Sequence, residues 1–254
     1  MQYSTVKKLF IAGGLIILAV AAYAGYVVVT MPDVESLQKK NPTMTALMEQ
    51  RAAEKDVVPR PVRAWIPYKS ISPHLRNAVL IAEDSAFFQH SGYDVEQIKE
   101  SAKRNWRERR FARGASTITQ QLAKNLYLST SRNPLRKIHE FFIAQELEEH
   151  LSKQRIFEIY LNVIEWGDGI YGIEPAARTY FGKSASDLLP EEAAILAAMI
   201  PNPRRYTPRR NLKYLEKRKA EILSRLAQYN FLPKEEYEAA RDRPLVFRQV
   251  SQVR

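Results

Sequence analysis

A pair of adjacent carboxylates with unusual neighbours is the first candidate for chemistry. Glu83 and Asp84 end an apolar helical stripe, and Phe87, Phe88 and His90 follow at once. Aromatic rings beside a carboxylate raise its pKa, which suits a group that accepts a proton near neutral pH. The other interpretation is a helix C-terminus with solvated acids and a core phenylalanine pair. This stretch alone favours that second interpretation.

A second candidate is Glu140, which follows a group of cations at Arg132, Arg136 and Lys137. On a helix, Arg136 and Lys137 lie four and three residues before Glu140 and share its face. One interpretation is a set of surface ion pairs, each worth about 0.3–0.5 kcal/mol. The other is a cationic clamp that holds one acid among positive groups. The cluster alone does not decide between them.

Between these two groups, the segment GASTITQQLAKN at 114–125 carries polar side chains at helical spacing. Apolar residues recur at four-residue steps and predict a buried stripe: Ile118, Leu122 and Leu126. Thr117, Gln121 and Lys124 share another face, which presents hydroxyl, amide and ammonium groups without a carboxylate. That face suits a polyol or phosphate ligand, and a helix N-terminus adds backbone donors for anions. An ordinary solvated face is equally consistent with the pattern.

Composition narrows the chemistry further. The chain has 254 residues, no cysteine and 4 histidines, none of them in an HExxH pair. A thiol nucleophile and a disulfide framework are excluded, and a zincin-type metal centre is not predicted. The net charge of +11 favours negatively charged partners such as phosphates, anionic lipid headgroups or nucleic acid.

The elements that must position these residues begin with an uncharged segment at 9–30. A helix of this length reaches about 33 Å and can cross a bilayer. Lys7 and Lys8 precede it and no basic residue follows until Lys39, so the positive-inside rule places the rest of the chain outside the cytoplasm. A cleaved signal peptide with an A-x-A-like site at 22–24 is the alternative, but apolar residues continue beyond that site and favour a retained anchor. Export disfavours nucleic acid as a partner.

Helical periodicity dominates from residue 72 and predicts a mainly α domain. Asp94 followed by Gln97 resembles a capping box with Asp94 as the N-cap, and Asn133 followed by Pro134 predicts an N-cap with proline at the first helical position. Helices are predicted at 43–56, 133–150, 153–163, 173–180, 190–199 and 212–229. Segment 62–68 is a candidate strand, and the glycines between 167 and 172 predict a connecting loop with positive φ angles.

The predicted organisation has five parts and no internal repeat. They are a cytoplasmic tail at 1–8, a transmembrane helix at 9–30, a juxtamembrane segment and linker at 31–60, a folded domain at 61–245 and a C-terminal tail at 246–254. The residues that could carry chemistry all lie in the folded domain. The domain is therefore expected to work next to a membrane.

Taken together, the polar segments resemble the peptidoglycan glycosyltransferases, which polymerise lipid II into glycan chains. The resemblance covers about 60–210 and rests on five ordered blocks. The first three are E-D-x-x-F-x-x-H-x-G at 83–92, G-x-S-T-I-T-Q-Q-L-x-K-N at 114–125 and R-K-x-x-E at 136–140. The other two lie at 158–183 and 192–208. A match of this extent, in order, is specific to the family.

The resemblance implies a lysozyme-like, bilobal fold and gives roles to the site residues. Glu83 is implied as the general base, and Glu140 as a second carboxylate that orients the site, holds a metal ion or assists the phosphate. The cations expected at the substrate pyrophosphate are Lys124, Arg132, Arg136 and Lys137. The other implied substrate-site residues are Asp84, Phe87, His90, Thr117, Gln120, Gln121 and Asn125.

The resemblance also implies the substrates and surroundings. Lipid II and the growing chain on undecaprenyl pyrophosphate are the expected substrates. No cofactor is obligatory, Mg²⁺ can assist, and the sequence shows no dedicated metal cage. Membrane lipids and cell-wall synthesis proteins are expected partners, and nucleic acid is not. The expected location is the inner membrane, with the folded domain on the periplasmic side.

Some members of the family carry a transpeptidase module as well. That module needs Ser-x-x-Lys and Lys-Thr-Gly motifs. The segment SLQK at 36–39 matches the first by spacing, but it lies beside the membrane without the companion motif, so polymerisation without transpeptidation is expected. Two alternatives remain open, a lytic muramidase with paired carboxylates and a non-catalytic membrane scaffold. The cations and the anchor argue against the first, and the intact carboxylates argue against the second.

Overall fold

The computed structural model describes residues 2–62, 64–108, 116–131 and 133–248. Its helices are α1 (Gln2–Val29), α2 (Ala46–Ala53), α3 (Pro73–Glu83), α4 (Val95–Glu108), α5 (Ile118–Tyr127), α6 (Pro134–His150), α7 (Lys153–Val163), α8 (Ile173–Phe181), α9 (Pro190–Met199), α10 (Pro208–Gln228) and α11 (Lys234–Asp242). Two short strands, β1 (Glu165–Gly167) and β2 (Ile170–Tyr171), and three 3-10 turns complete the described elements. The fold is mainly α, as predicted.

Helix α1 differs from the rest in being apolar and exposed. Its stretch Phe10–Val29 has a mean hydropathy of 2.2, and almost none of it is buried in the protein. A core helix of a soluble domain would bury such a surface, whereas a membrane helix leaves it for lipid. By length and composition, α1 therefore suits a membrane anchor.

Two groups of helices are joined where Asp84, directly after α3, accepts a hydrogen bond from Ile118 N at the start of α5. In one group, α9 packs against α3 and α10, and all ten of its residues are buried. In the other group, α5 packs against α6, α7 and α2. Glu83 is the last residue of α3, so the first candidate carboxylate lies at the junction of the two groups.

Local caps determine where several helices begin. Asp94 Oδ1 accepts a hydrogen bond from Gln97 N at 2.8 Å, and Asn133 Oδ1 accepts one from Leu135 N at 2.9 Å, so both predicted N-caps are confirmed. Helices α6, α7, α8 and α9 lie within one residue of their predicted ends. Helix α2 is shorter than predicted because Thr45 caps it.

The segment predicted as a strand at 62–68 contains no strand among its described residues. Instead, Ile66 exchanges both backbone hydrogen bonds with the side-chain amide of Asn162 on α7, each at 2.9 Å. Glu158, one turn earlier on the same helix, accepts the Tyr68 N–H at 2.7 Å. Polar side chains of α7 thus take the place of a neighbouring strand.

The glycine-rich segment forms a small hairpin where a loop was predicted. Strand β1 pairs with β2 in antiparallel fashion. Gly169 and Gly172 have φ angles of 77° and 83°, which confirms the predicted positive values. A Cβ atom at Gly172 would lie 2.7 Å from the carbonyl oxygen of Asn162. Glycine is therefore required there by both conformation and close approach.

Candidate active site

Glu83 is held by a chain of two hydrogen bonds from neighbouring helices. Gln121 Nε2 on α5 donates to Glu83 Oε2 at 2.8 Å, and the hydroxyl of Tyr160 on α7 donates to Gln121 Oε1 at 2.9 Å. Tyr160 is fully buried, and burial, with the charges of Glu83 and Asp84, raises its pKa well above the ordinary value. Because the phenol stays protonated, it fixes the orientation of the Gln121 amide. The amide in turn presents a donor to a half-buried carboxylate.

Asp84 has a different environment from its neighbour. It is 1% exposed, and its carboxylate accepts hydrogen bonds from Ile118 N at 3.0 Å and contacts His90 Nε2 at 3.0 Å. Ile118 is the first residue of α5, where the helix dipole favours a negative charge. Asp84 therefore ties the end of α3 to the start of α5, which keeps Glu83 and Gln121 together.

The phenylalanines of this segment also lie in different surroundings. Phe87 is fully buried against Phe157 and His90, and the ammonium of Lys153 lies 4.3 Å from its ring centroid. Phe88, in contrast, is 48% exposed. The structure therefore places Phe87 and His90 in the support of the site rather than on its surface.

Thr117 and Gln120 form the predicted start of the polar helix, as a capping box. Thr117 Oγ1 accepts from Gln120 N at 3.2 Å and donates to the Gly92 carbonyl oxygen at 2.7 Å. Gln120 Oε1 accepts from Thr117 N at 3.3 Å. Both side chains are buried and bonded to the backbone. The structure thus gives Thr117 and Gln120 a positioning role, whereas Gln121 donates to Glu83.

Glu140 is surrounded by cations at the start of α6. Its carboxylate pairs with Arg136 Nη1 at 2.5 Å and with the ammonium of Lys137, which also donates to Ser116 Oγ at 2.9 Å. Glu140 is only 2% exposed and the Arg136 side chain 17%, so their pair is not a solvated surface pair, whereas the Lys137 side chain is half-exposed. The acid is held between two cations, as the clamp interpretation expects, through the same i,i+4 and i,i+3 pairs that the ion-pair interpretation expects.

Lys124 lies on the α5 face between the two carboxylates. Burial lowers its pKa below the ordinary lysine value, Arg136 and Lys137 act in the same direction, and Glu140 and Glu83 oppose them. No carboxylate of the described residues forms an ion pair with its ammonium within 4.0 Å. A half-buried ammonium without an ion-pair partner among the described residues can bind an anionic ligand. Arg132, the other cation implied at the pyrophosphate, lies outside the described residues.

A cleft of about 480 Å³ opens beside these groups. Its lining includes Gln121, Lys124 and Asn125 of α5 and Tyr160 of α7. Arg51, Thr130, Glu165 and Asn202 also line it. Glu83 does not itself line this cleft, but Gln121, which does, donates to the Glu83 carboxylate and links it to the wall that carries the Lys124 ammonium.

Sequence reasoning did not foresee Arg51 and Glu165. Arg51 lies on α2, in the segment predicted as a linker, and its Nε donates to Glu165 Oε2 at 3.3 Å. Glu165 is 5% exposed, and burial raises its pKa while Arg51 opposes the shift. An isolated arginine among other charged residues gives no local signal of such a contact. Only the folded chain brings α2 to the wall of the cleft.

The described residues do not form a metal centre. No group of three or more His, Asp or Glu side chains among them is placed to hold an ion. Each oxygen of Glu140 accepts from a cationic side chain, one from Arg136 and the other from Lys137. These contacts do not fit the oxygen-rich shell that Mg²⁺ requires from a protein cage.

A family model and individual relatives both show similarity of this chain to transglycosylases. The family model described as Transglycosylase matches residues 50–227. A biosynthetic peptidoglycan transglycosylase of Nitrosospira multiformis is 48% identical over 190 residues, which are 74% of this chain and 83% of the relative. One of the same name from Chromobacterium violaceum is 42% identical over 217 residues, or 84% of this chain and 95% of the relative.

Further similar proteins extend the comparison. A biosynthetic peptidoglycan transglycosylase of Methylobacillus flagellatus is 51% identical over 169 residues, covering 66% of this chain and 73% of the relative. The solved penicillin-binding protein 1A of Haemophilus influenzae is 36% identical, covers 52% of this chain and 16% of its own, and has a TM-score of 0.36. The family match begins within α2, so it includes Arg51 as well as both candidate carboxylates.

Proposed function

The chain belongs to the transglycosylase family, and we propose that it polymerises lipid II into β-1,4-linked glycan strands with release of undecaprenyl pyrophosphate. The observation that carries this proposal is the link on α5 between the proton acceptor and the cations. Gln121 donates to Glu83 and lines a cleft together with Lys124, and the Lys124 ammonium interacts electrostatically with Glu83, Glu140, Arg136 and Lys137. A transfer reaction with an anionic leaving group needs both kinds of group in one place.

In the proposed reaction, Glu83 accepts the proton of the acceptor GlcNAc 4-hydroxyl. The oxygen attacks C1 of the donor MurNAc, and the bond between C1 and the pyrophosphate oxygen breaks with inversion from α to β. The leaving group departs as a diphosphate anion and needs charge stabilisation more than a proton. Lys124, Arg132, Arg136 and Lys137 are proposed to supply that stabilisation.

Glu140 is proposed to act through the cations. Its carboxylate holds Arg136 and Lys137 on one side of α6, and its negative charge opposes the lowering of the Lys124 pKa. Three cations would otherwise repel one another in a partly buried site. We therefore infer that Glu140 keeps the cluster charged and ordered before the diphosphate arrives. A divalent cation such as Mg²⁺ would then come bound to the diphosphate.

The surroundings of the site fit a lipid-linked substrate. Apolar side chains on the outer face of α6 are exposed, among them Leu135, Ile138, Phe141 and Phe142. Together with α1, this face supports contact of the domain with membrane lipid. We propose an inner-membrane location with the catalytic domain on the periplasmic side, where a polyprenyl-linked substrate and cell-wall synthesis proteins would meet it.

The test is incubation of the purified chain with labelled lipid II in detergent. Polymer formation is expected. Shortening of preformed glycan without any polymer would support the muramidase alternative, and neither reaction would support the scaffold. A parallel assay on non-lipid-linked disaccharide is the control, since it lacks the diphosphate leaving group and no polymer should form.

A further inference from the structure

Arg155, at the start of α7, binds the segment of chain that follows α1. Its Nε donates to the Leu37 carbonyl oxygen at 2.8 Å. Its Nη2 donates to the Lys40 carbonyl oxygen at 3.0 Å and to Asn41 Oδ1 at 2.7 Å. One guanidinium thus forms three hydrogen bonds to residues 37–41, more than 110 positions earlier in the chain.

The Arg155 side chain is also fixed from the other side. Its Nη1 pairs with Glu158 Oε1 at 2.5 Å, and the guanidinium lies 5.4 Å from the ring centroid of Trp65. The Trp65 indole N–H in turn donates to Glu158 Oε1 at 3.1 Å. The Arg155 side chain is 17% exposed, so these are not solvated surface contacts. A planar guanidinium with fixed partners is pre-organised to bind a further group.

The segment 34–41 is attached to the folded domain at further places. Val34 and Leu37 are 3% and 5% exposed and belong to the hydrophobic core. Gln38 Nε2 donates to the carbonyl oxygen of His150, the last residue of α6, at 2.9 Å. Segment 34–41 is therefore bound to the domain and does not cross solvent as a free tether.

Little chain separates this attachment from α1. Helix α1 ends at Val29, so residues 30–33 lie between it and Val34, and five residue steps span at most about 17 Å. Release of segment 34–41 would lengthen the free stretch to 30–41 and its maximum span to about 40 Å. A direct contact of α1 with α6, from the Tyr23 hydroxyl to the Leu135 carbonyl oxygen, is exposed. The buried attachment is the one at segment 34–41.

We propose that Arg155 is a positioning residue that sets the orientation of the catalytic site relative to the bilayer. A substrate whose lipid tail stays in the membrane presents its sugars and diphosphate within a narrow range of heights. A site on a short, fixed attachment meets those groups in reactive geometry more often than a site on a loose tether. Arg155 acts through segment 34–41, and this inference rests on the proposed function, which supplies the lipid-linked substrate.

A purely structural role for Arg155 makes a different prediction. Loss of its pair with Glu158 would then destabilise the domain and lower the activity equally in every medium. A positioning role lowers the activity where a bilayer fixes the height of the substrate. In detergent micelles the enzyme and the substrate have no common plane, so there the activity should stay unchanged.

The experiment compares lipid II polymerisation by the full-length chain in liposomes of zwitterionic lipid and in detergent micelles. Arg155→Gln removes the guanidinium, so kcat/KM should fall about fivefold in liposomes and stay at the wild-type value in micelles. Arg155→Lys keeps the charge without the planar fork and should recover part of the loss. Arg178→Gln on α8 is the matched control, because Arg178 also pairs with a glutamate of its own helix, Glu174, and should behave like the wild type in both media.

A second variant changes the segment and leaves α7 intact. Gln38→Ala combined with Asn41→Ala removes the side-chain bonds to His150 and Arg155 from two exposed positions, so the core of the domain is unaltered. The value of kcat/KM in liposomes should fall about threefold, with no change in micelles.

The orientation of the domain can be measured without turnover. The chain has no cysteine, so Glu235→Cys at an exposed position of α11 takes up a single donor dye. Energy transfer to acceptor lipids then reports the distribution of distances between the domain and the bilayer. Arg155→Gln should broaden this distribution relative to the wild type and to Arg178→Gln. Thermal unfolding midpoints identify any misfolded variant.

Three results would overturn the proposal. The first is an unchanged rate in liposomes for folded Arg155→Gln. The second is an equal loss in liposomes and micelles, which would assign Arg155 to the stability of the fold. The third is a lowered rate in liposomes with an unchanged distance distribution. If the wild type forms no polymer in either medium, the proposed function fails, whereas the distance measurement still tests the attachment.

Discussion

At the scale of single residues, Gln121 is the group on which the geometry of the base depends. Its amide donates to Glu83 and accepts from Tyr160. The Tyr160 hydroxyl therefore sets the orientation in which the amide nitrogen donates to Glu83. An amide without the second contact can turn over and present its oxygen to the carboxylate. The buried phenol therefore acts as a positioning group for the base.

Removing the Tyr160 hydroxyl tests this role. Tyr160→Phe should lower kcat with lipid II about fivefold, the effect of one lost hydrogen bond, with little change in KM. Steady-state kinetics measure both constants, and Tyr237→Phe on α11 is a matched control that should behave like the wild type. Equal kcat values for Tyr160→Phe and the wild type would show that the phenol does not position the site.

The lowered pKa of Lys124 makes a prediction about pH. Because burial lowers this pKa, the ammonium loses its proton at a lower pH than an ordinary lysine does, and the diphosphate site then loses a positive charge. The value of kcat/KM should fall on the alkaline side, and Lys124→Arg should move that fall upward because a guanidinium stays charged. A pH profile with the same alkaline limb in both proteins would contradict the assignment.

The sequence predicted residue identities better than residue contacts. Glu83, Glu140 and the cations stand out because of their neighbours in the chain, and among the described residues Lys124 interacts electrostatically with Glu83, Glu140, Arg136 and Lys137. The contact of Gln121 with Glu83 joins positions 38 apart, and Arg51 with Glu165 joins positions 114 apart. No local pattern encodes such pairs. They follow from helix packing, which only the folded chain shows.

At the scale of elements, α5 carries the site and its start is fixed by Thr117. The capping box satisfies backbone donors that would otherwise be unpaired, and Asp84 accepts from the next one. Thr117 and Gln120 therefore define the start of α5, and Asp84 fixes that start against the end of α3.

A cap substitution tests that role. Thr117→Ala should lower the free energy of unfolding by about 1 kcal/mol, whereas Thr117→Ser keeps the hydroxyl and should lose much less. Chemical denaturation of the detergent-solubilised chain measures the difference. If the two variants unfold alike while only the KM for lipid II changes, Thr117 is a substrate contact and not a cap.

Elements with local signals were predicted well, and those with remote partners were not. Caps and periodicity are written within a few residues, so α6, α7, α8 and α9 have the expected ends. The segment 62–68 has an apolar composition that favours a strand, but its backbone is satisfied by Asn162, far along the chain. The two-stranded hairpin is too short to give an alternating pattern.

At the scale of the whole molecule, α2 joins the membrane-proximal segment to the catalytic domain. Gln50 Nε2 donates to Thr130 Oγ1 at 2.7 Å, Lys55 pairs with Asp168 at 2.7 Å, and Arg51 pairs with buried Glu165. These three contacts therefore hold α2 and the turn after it against the catalytic domain.

The Arg51–Glu165 pair gives this connection a pH signature. Burial raises the pKa of Glu165 in the folded protein, and loss of Arg51 should raise this pKa further. A raised pKa means that the free energy of unfolding is highest when Glu165 is protonated in both states, below its unfolded pKa. The free energy of unfolding then falls as the pH rises through the folded pKa of Glu165. Arg51→Gln should therefore cost about 1–3 kcal/mol near neutral pH and less near pH 5.

Adding Glu165→Gln to that variant removes the unpaired charge and should restore most of the loss. Unfolding experiments at the two pH values compare the single and double variants. A pH-independent loss, or a double variant no more stable than Arg51→Gln, would show that the pair does not stabilise this junction.

The most direct test of the whole account is the lipid II polymerisation rate of Glu83→Gln. The amide keeps the shape of the side chain but cannot accept the hydroxyl proton, so kcat should fall about 10²–10⁴-fold. The unfolding midpoint and the Kd for undecaprenyl diphosphate should stay at wild-type values, since neither needs the base. A rate within a few-fold of the wild type would contradict the assignment of Glu83 and, with it, the proposed mechanism.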